Sequence, residues 1–582
     1  MPALIDFSPV QPGQSGAVRA AFGCAQETLV AHTLDAVRPL LARVDQCARQ
    51  GLWCVGYVRY EAAPAFDAAL SVHAADGPLA WFGVYTQPQD WPASTTDSAQ
   101  ADWQPGLSRS EFDRAMTQIH QAIAAGALYQ LNYTAPLHAH LQGSPRALFE
   151  ALQRAQPGGY AAYVDTGDEQ VLSVSPELFF DWNGQQILTR PMKGTAPRGA
   201  DAQHDTQLRT QLALSPKERA ENVMIVDLLR NDLSRLAEPH SVQVPALFRI
   251  EALPTVFQMS SDITATPRAG TTLEDVFAAL FPCGSVTGAP KVQAMQHIRA
   301  LEPRARGIYC GAIGVVRPGG HATFNVAIRT VTVQGERARC GIGSGITADA
   351  SAAGEWQEWQ HKRAFLDRAS HPFALLETLR LENGVLRDAP RHLARMARAA
   401  QHFGFTFPAA ALDAALAEQA ARHPHGRHRV RLLLQTQGTV QAESSPLPDS
   451  PARVHLALAT APFEAAHSEF VRHKTTRRAH YDAAASPDPS VFDTLLWNTQ
   501  GELTESTRCN VAVRLDGRWH TPPLRCGLLG GIARERYLAE GRIEEGVVRL
   551  QDLAQAQELA VFNSLRGWMA ATLTPESTPQ AD

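Results

Sequence analysis

No apolar run in this sequence approaches the ~20 residues that span a bilayer. The opening stretch MPALIDFSPVQPGQ carries neither a basic segment nor an apolar signal core, so a cytoplasmic location without membrane attachment is expected. An excess of positive charge is also missing. The net charge is -5, which leaves nucleic acid out of the expected partners and requires acidic small substrates to be met by local positive sites. The eight cysteines (Cys24, Cys47, Cys54, Cys283, Cys310, Cys340, Cys509, Cys526) form no CxxC pair, and neither a zinc site nor a disulfide framework is indicated. Nucleotide loops are lacking as well. In GSVTGAP, Gly288 is followed by Ala289 and Pro290 where a phosphate loop needs Lys and then Ser or Thr. GIGSGI lacks the spacing and the following helix of a dinucleotide fingerprint. There is no internal repeat.

What is present is an ordinary globular mixture, 45% hydrophobic and 19% charged over 582 residues. Such a chain is too long for one core, so at least two independently folded bodies are expected. SRSEFDRAMTQIHQAIAAG spaces its apolar residues as a helix does, and YQLNYTAPLHAHL alternates like a strand. VLSVSPELFFDW followed by GQQILTRPMKGTAPRG reads as a hairpin whose second arm runs into a Gly/Pro-rich loop. Ser215, Pro216 and Glu218 fall at the N-cap, first and third positions of a helix over ERAENVMIVDLLRNDLSRLA. FPCGSVTGAPKVQAMQHIRALEP is a Gly-rich turn feeding a helix with Pro290 in its first turn. GIYCGAIGVV, FNVAIRTVTV and RARCGIGSGI read as strands and EWQEWQHKRAFLDRAS as a closing helix. FALLETLRLENGVLRDAPRHLARMARAA then gives a strand, a turn at Asn383-Gly384 and a helix. A domain boundary is therefore expected near about residue 370, separating 1–370 from 371–582.

Several charged residues stand in unusual settings. Glu221 shares a helix face with Met224, Ile225 and Leu228, which predicts a buried carboxylate in need of a cation, a metal or a strong donor. Glu355, Glu358 and Lys362 share a face of the closing helix. Their spacing favours an ordinary ion pair one turn apart, and leaves open two acidic helix faces holding magnesium. GSVTGAP presents backbone N–H groups at the positive end of a helix dipole, a seat for an anion, although spacing alone favours a simple tight turn. Lys193 lies in a Gly/Pro-rich loop. Lys474, in FVRHKTTRRAHYDAA, follows an apolar stretch read as a strand end.

SPELFF, RPMKGTAPRG, ERAENVMIVDLLRNDL, FPCGSVTGAPKVQAM, YCGAIG, AIRT and GIGSGITAD with EWQE resemble the chorismate-binding enzymes, in that family's order, over about residues 110 to 370. The resemblance implies an α+β domain built on a large antiparallel sheet core, with the N-terminal part a less typical subregion. Within the family, anthranilate synthases carry Ala where aminodeoxychorismate synthases carry Lys, and this sequence has Lys193. The implied chemistry is attack of Lys193 on ring carbon 2 of chorismate with loss of the carbon-4 hydroxyl, then addition of ammonia at carbon 4 with loss of the lysine. Glu177 would protonate the departing hydroxyl, with Thr195 beside it. Glu221, Glu355 and Glu358 match magnesium positions. Gly284, Ser285, Tyr309, Arg329, Gly343, Gly345 and Lys362 match positions that grip the substrate's carboxylates, a task for which the Arg fork is suited. Two residues depart from the pattern. Gln258 replaces a histidine common in relatives, which removes any imidazole role, and Ala127 replaces the usual Asp of GDxYQxN. No cysteine lies in the GxCxGxQ setting of a glutamine amidotransferase, so ammonia is expected from a separate glutaminase subunit, with the N-terminal region as a docking area.

The second half resembles the fold-type-IV pyridoxal-phosphate enzymes through FVRHKTTRRAHYDAA, GELTESTRCNVAV, CGLLGGIARER and VFNSLRG, over about residues 373 to 570. A two-lobed α/β domain with pyridoxal phosphate is implied. Lys474 would hold the cofactor covalently, and Glu505 would pair with its pyridine nitrogen and keep the ring an electron sink. Arg395, Gly531, Ile532 and Ser564 match phosphate contacts, and Thr507 and Asn510 lie in the same motif. Gly530 replaces a common Pro, which loosens the loop without removing a donor. KTTRRAHYDAA looks more like the lyases than the aminotransferases. The implied second step is loss of pyruvate from aminodeoxychorismate, giving 4-aminobenzoate for folate, and relatives pair into homodimers through this domain. Other readings stay open: a synthase with a degenerate second half, an aminotransferase second half, and anthranilate synthesis. Lys474, Glu505 and Arg395 weigh against the first, and Lys193 against the last.

Overall fold

The computed structural model describes residues 2–10, 17–95, 97–199, 202–253 and 256–574. The chain divides into two compact units, Met1–Pro372 and Phe373–Asp582.

Strand alternation explains the layering of the first unit. Ala3, Ile5 and Phe7 of the strand Ala3–Phe7 enter a core shared with Val55, Tyr57 and Ile313 of a second sheet, while Leu4 points the other way into a core with Phe112, Leu148 and Phe365. Each sheet has ten strands among the described residues, and their pairings are antiparallel. One sheet is covered on its outer face by the helices Arg109–Ala124, Pro145–Ala155 and Ala352–Ser370. The other is covered by Leu34–Arg49, Pro216–Ser234 and Leu273–Leu280. The result is helix, sheet, sheet, helix.

Two expected strands prove to be crossings between the sheets. VLSVSPELFFDW is not one hairpin arm: Gln170–Ser175 belongs to the first sheet and Leu178–Trp182 to the second, because Pro176 interrupts the ladder between them. FNVAIRTVTV likewise splits into Ala322–Val326 and Thr330–Gln334 on different sheets, with Arg329 at φ 47° in the gap. The helix Pro216–Ser234 starts where the spacing predicts, its N-cap Ser215 accepting from the Glu218 N–H at 3.3 Å. Its buried side is Asn222, Ile225, Val226 and Leu229. Glu221 therefore lies half-buried at the edge of that stripe, not on the core face predicted for it.

The second unit has two sheets. The smaller pairs Val385–Leu386, Leu375–Glu382, Arg427–Leu434 and Val440–Pro446 antiparallel and packs the helices Ala389–Phe403 and Ala409–Arg422. The larger is mixed: Arg453–Leu458 runs parallel to both Asp493–Trp497 and Gly567–Leu573. Lys474 does not end a strand. It follows the one-turn helix Glu469–Arg472, which forms because Ser468 caps it, accepting from the Phe470 N–H at 3.2 Å. Among the described residues no helix is long and apolar enough to cross a membrane.

Candidate active sites

The two crossings of the first unit lie side by side. Val326 N–H donates to the Glu177 carbonyl at 3.1 Å and Val174 N–H to the Arg329 carbonyl at 3.1 Å, so both side chains start from the gap between sheets. Arg329 holds a left-handed backbone that a non-glycine residue adopts only under constraint. Burial lowers its guanidinium to about 10. Tyr309 is near the same Cys340 as Arg329, and burial raises its hydroxyl.

Lys193 lies not in a loop but in the strand Met192–Pro197, at a β-bulge where its register against Val256–Ala265 shifts between Met192 and Thr195. Such bulges re-aim a side chain, and Gly194 supplies the required φ of 97°. The ammonium of Lys193 lies 3.3 Å from Glu221 Oε2. Its closeness to Gly345 is shown by space: a Cβ on that glycine would come within 2.6 Å of Lys193 Nζ and 2.5 Å of Gln130 Nε2. Glu177 is near enough for the charges of Lys193 and Lys362 to act on it. Burial dominates, and pushes its carboxyl up to about 7, with Oε1 lacking a hydrogen-bond partner. Thr195 is exposed, and its hydroxyl donates to Gln258 Oε1 at 3.0 Å.

The helix Ala352–Ser370 closes the far side. Glu355 is buried, its carboxyl raised by burial, and accepts from Ser344 Oγ at 2.5 Å. Lys362 pairs with the exposed Glu358 at 2.6 Å, the bland ion pair that the spacing favoured, but it also donates to the Gly343 carbonyl at 3.0 Å. Ser285 is buried in the short turn Gly284–Val286, with its hydroxyl 3.2 Å from Cys283 Sγ. Among the described residues no three His, Cys, Asp or Glu side chains gather closely enough to cage a metal.

In the second unit, burial and the neighbouring Arg395 charge bring the partly buried Lys474 down to about 8, with Glu377, Arg478 and Glu505 also close enough to act on it. Burial raises Glu505 to about 8, although it accepts from Tyr481 Oη at 2.6 Å and Leu529 N–H at 3.2 Å. Thr507 donates to Asp493 at 2.5 Å, and Asn510 donates to the Leu529 carbonyl at 2.9 Å, bracing the loop before the helix Ile532–Ala539. Gly531 caps that helix, and a Cβ there would collide with Asn510 Oδ1 at 2.0 Å. Ser564 is half-buried in the turn between Glu558–Asn563 and Gly567–Leu573.

Residues 88–368 match the family model of the chorismate binding enzymes, and residues 374–573 that of the class IV amino-transferases. The chain carries a chorismate-binding domain followed by a class IV aminotransferase domain. An aminodeoxychorismate synthase component 1 from Klebsiella aerogenes is 41% identical over 280 residues, covering 48% of this chain and 61% of that protein. An anthranilate synthase component 1 from Streptomyces coelicolor is 37% identical, covering 47% of this chain and 54% of that one. The matches thus span between half and two thirds of these relatives' own length. The fold of the chorismate-binding domain is that of anthranilate synthase component I from Streptococcus pneumoniae, at 24% identity and a TM-score of 0.52, over 63% of this chain and 92% of that one.

A class IV aminotransferase domain implies pyridoxal phosphate, and the residues fit it. A lysine held near 8 is ready to lose its proton, and a carboxyl that burial raises to about 8 despite the charges of Lys474 and Arg478 would gain from a pyridinium nitrogen beside it. Helix N-terminal N–H groups at Gly531 and Ile532 suit a phosphate.

Sequence reasoning missed four polar residues here. Gln130 is fully buried beside Lys193 with neither amide atom partnered; with Asn132 and Thr134 it forms a buried polar row on an alternating strand, which was the available signal. Gln258 does have a role: its Nε2 donates to the Gly194 carbonyl at 2.8 Å while its Oε1 takes the Thr195 hydroxyl, so one amide spans the lysine's bulge. Tyr481 orients Glu505. Glu377 alternates with Leu375, Leu379 and Leu381 on a buried strand face, where a charge is out of place without a partner.

Proposed function

We propose that this chain converts chorismate and ammonia to 4-amino-4-deoxychorismate in its first unit, and removes pyruvate from that product in its second, giving 4-aminobenzoate for folate. The observation that carries the first step is that Lys193 lies close enough for its charge to act on the buried Glu177 carboxyl. A lysine amine forms a bond to ring carbon 2 as the carbon-4 hydroxyl leaves, and a carboxyl raised to about 7 still holds the proton that hydroxyl needs near neutral pH. Glu221, 3.3 Å from Nζ, holds the amine in position before substrate binds. Gln130 offers the bound substrate or ammonia an unpaired amide.

Magnesium belongs to this reading. Two carboxylates plus substrate oxygens make a usual site for that ion, and Glu221 with Glu355 or Glu358, from the two helices that line the cleft, supply them. Arg329, Tyr309 and the backbone at Gly284, Ser285, Gly343 and Gly345 would grip the substrate's carboxylates, with Lys362 beside them.

In the second unit, pyridoxal phosphate supplies an electron sink when bound. Lys474 would hold the cofactor and would take the proton from substrate carbon 4; Glu505 would hold the ring nitrogen, and Arg395 and Ser564 the phosphate, with Thr507 and Asn510 fixing the surrounding loops. The class IV unit would pair with a second copy as its relatives do, ammonia would come from a separate glutaminase subunit, and the chain would work in the cytoplasm. Incubating the protein with chorismate, magnesium and an ammonium salt tests the first step. Aminodeoxychorismate or 4-aminobenzoate is expected, with loss of at least a hundredfold in Lys193→Ala; an ortho-aminobenzoate product would overturn it.

A further inference from the structure

Glu377 is buried to 1% exposure on the strand Leu375–Glu382, yet it is charged, and its carboxyl is held down to about 2 against the cost of burial. Its partners explain this. Oε1 accepts from Arg395 Nε at 2.8 Å and Oε2 from Arg395 Nη2 at 2.7 Å, the two-pronged geometry that fixes a guanidinium in plane. Oε2 also accepts from His392 Nδ1 at 2.6 Å, one helical turn before Arg395, so the carboxylate itself cannot swing. Arg395 Nη1 donates to the Gly530 carbonyl at 3.0 Å, in the loop that leads into the helix Ile532–Ala539. A guanidinium has five N–H groups. Three are thus committed, leaving one on each terminal nitrogen, the pair that two oxygens of a phosphate accept.

We propose that Glu377 is a positioning residue that locks Arg395 with two free donors toward the cofactor's phosphate, and so sets the preference for a phosphorylated cofactor over its dephosphorylated form. This rests on reading Arg395 as a phosphate contact. The role shows in a ratio: the Glu377 charge that reaches Lys474 acts on both forms of the cofactor alike, whereas its two bonds to Arg395 act only through the phosphate end.

The full chain is titrated with pyridoxal phosphate and with pyridoxal, and binding is followed by the absorbance of the bound cofactor. Glu377→Gln presents one oxygen and an opposing NH2 to the guanidinium. It is expected to weaken pyridoxal phosphate at least tenfold more than pyridoxal. Glu377→Asp keeps the charge and withdraws it by one methylene; a smaller loss, confined to the phosphorylated form, is expected, and this variant decides the matter if Glu377→Gln does not fold. Arg395→Ala is the reference. If it leaves the ratio of the two affinities unchanged, the phosphate-contact reading fails. If it collapses the ratio while neither Glu377 variant moves it, or if those variants weaken both ligands equally, the reading stands and the positioning role is overturned.

Discussion

Replacing Glu177 by Gln should stabilise the protein above neutral pH while disabling its first reaction. The side chain is 4% exposed, and burial moves its carboxyl from 4.5 to about 7. A carboxyl whose value rises on folding leaves the folded state fully stable only below the unfolded value, and stability is lost as pH climbs through about 7. The gap between 4.5 and about 7 corresponds to ~3 kcal/mol of destabilisation once the group is ionised. Glutamine has the same shape and no charge, so it escapes that cost. Urea unfolding of both proteins should give stabilities within about 1 kcal/mol at about pH 5, and Glu177→Gln ahead by ~3 kcal/mol at about pH 8. Aminodeoxychorismate formation should fall by roughly 10²–10⁴, the usual contribution of a general acid. In the wild type the same proton makes activity decline above about pH 7. A variant no more stable than its parent at alkaline pH, or one within tenfold of its activity, would refute the account of Glu177.

The other consequences concern the bulge that carries Lys193. Gln258→Leu strips the amide from Gly194 and Thr195, leaving the Gly194 carbonyl without its donor at a cost of ~1–3 kcal/mol; a lower melting temperature together with reduced kcat at near-constant chorismate KM is expected, and an unchanged kcat would contradict it. Gly345→Ala places a methyl 2.5 Å from Gln130 Nε2 and 2.6 Å from Lys193 Nζ. Both are ends of movable side chains, so the melting temperature should hold while activity falls by about 10² through misplacement of the amine. Borohydride treatment should fix pyridoxal phosphate on the wild type and not on Lys474→Ala; labelling that persists in the variant would move the attachment to another lysine.

The two kinds of domain were legible because their motifs are local: the Ser215-Pro216 helix start, the Gly-rich turn before Lys291, and the lysine, acid and loop segments of the second half. Long-range facts were not. Pro176 was the one sign of a break in VLSVSPELFFDW, and nothing in FNVAIRTVTV distinguishes a continuous strand from two strands on different sheets; only pairing shows that Glu177 and Arg329 occupy neighbouring crossings. The face of Glu221 was misjudged by one position because Ile225 belongs to either stripe, and packing chose the one with Val226 and Leu229. Lys474 was set at a strand end because Phe470 and Val471 look like one, whereas Ser468 starts a turn of helix there. Gln258 was seen only as a missing imidazole. Its two hydrogen bonds depend on a register that the sequence does not contain.

The claim that two reactions run in series on one chain is met most directly by product analysis with chorismate, magnesium, pyridoxal phosphate and an ammonium salt, on the wild type and Lys474→Ala. The account predicts 4-aminobenzoate and pyruvate in equal amounts from the wild type, and accumulation of aminodeoxychorismate without pyruvate from the variant. Equal 4-aminobenzoate from both proteins, or aminodeoxychorismate as the wild type's end product, would contradict it.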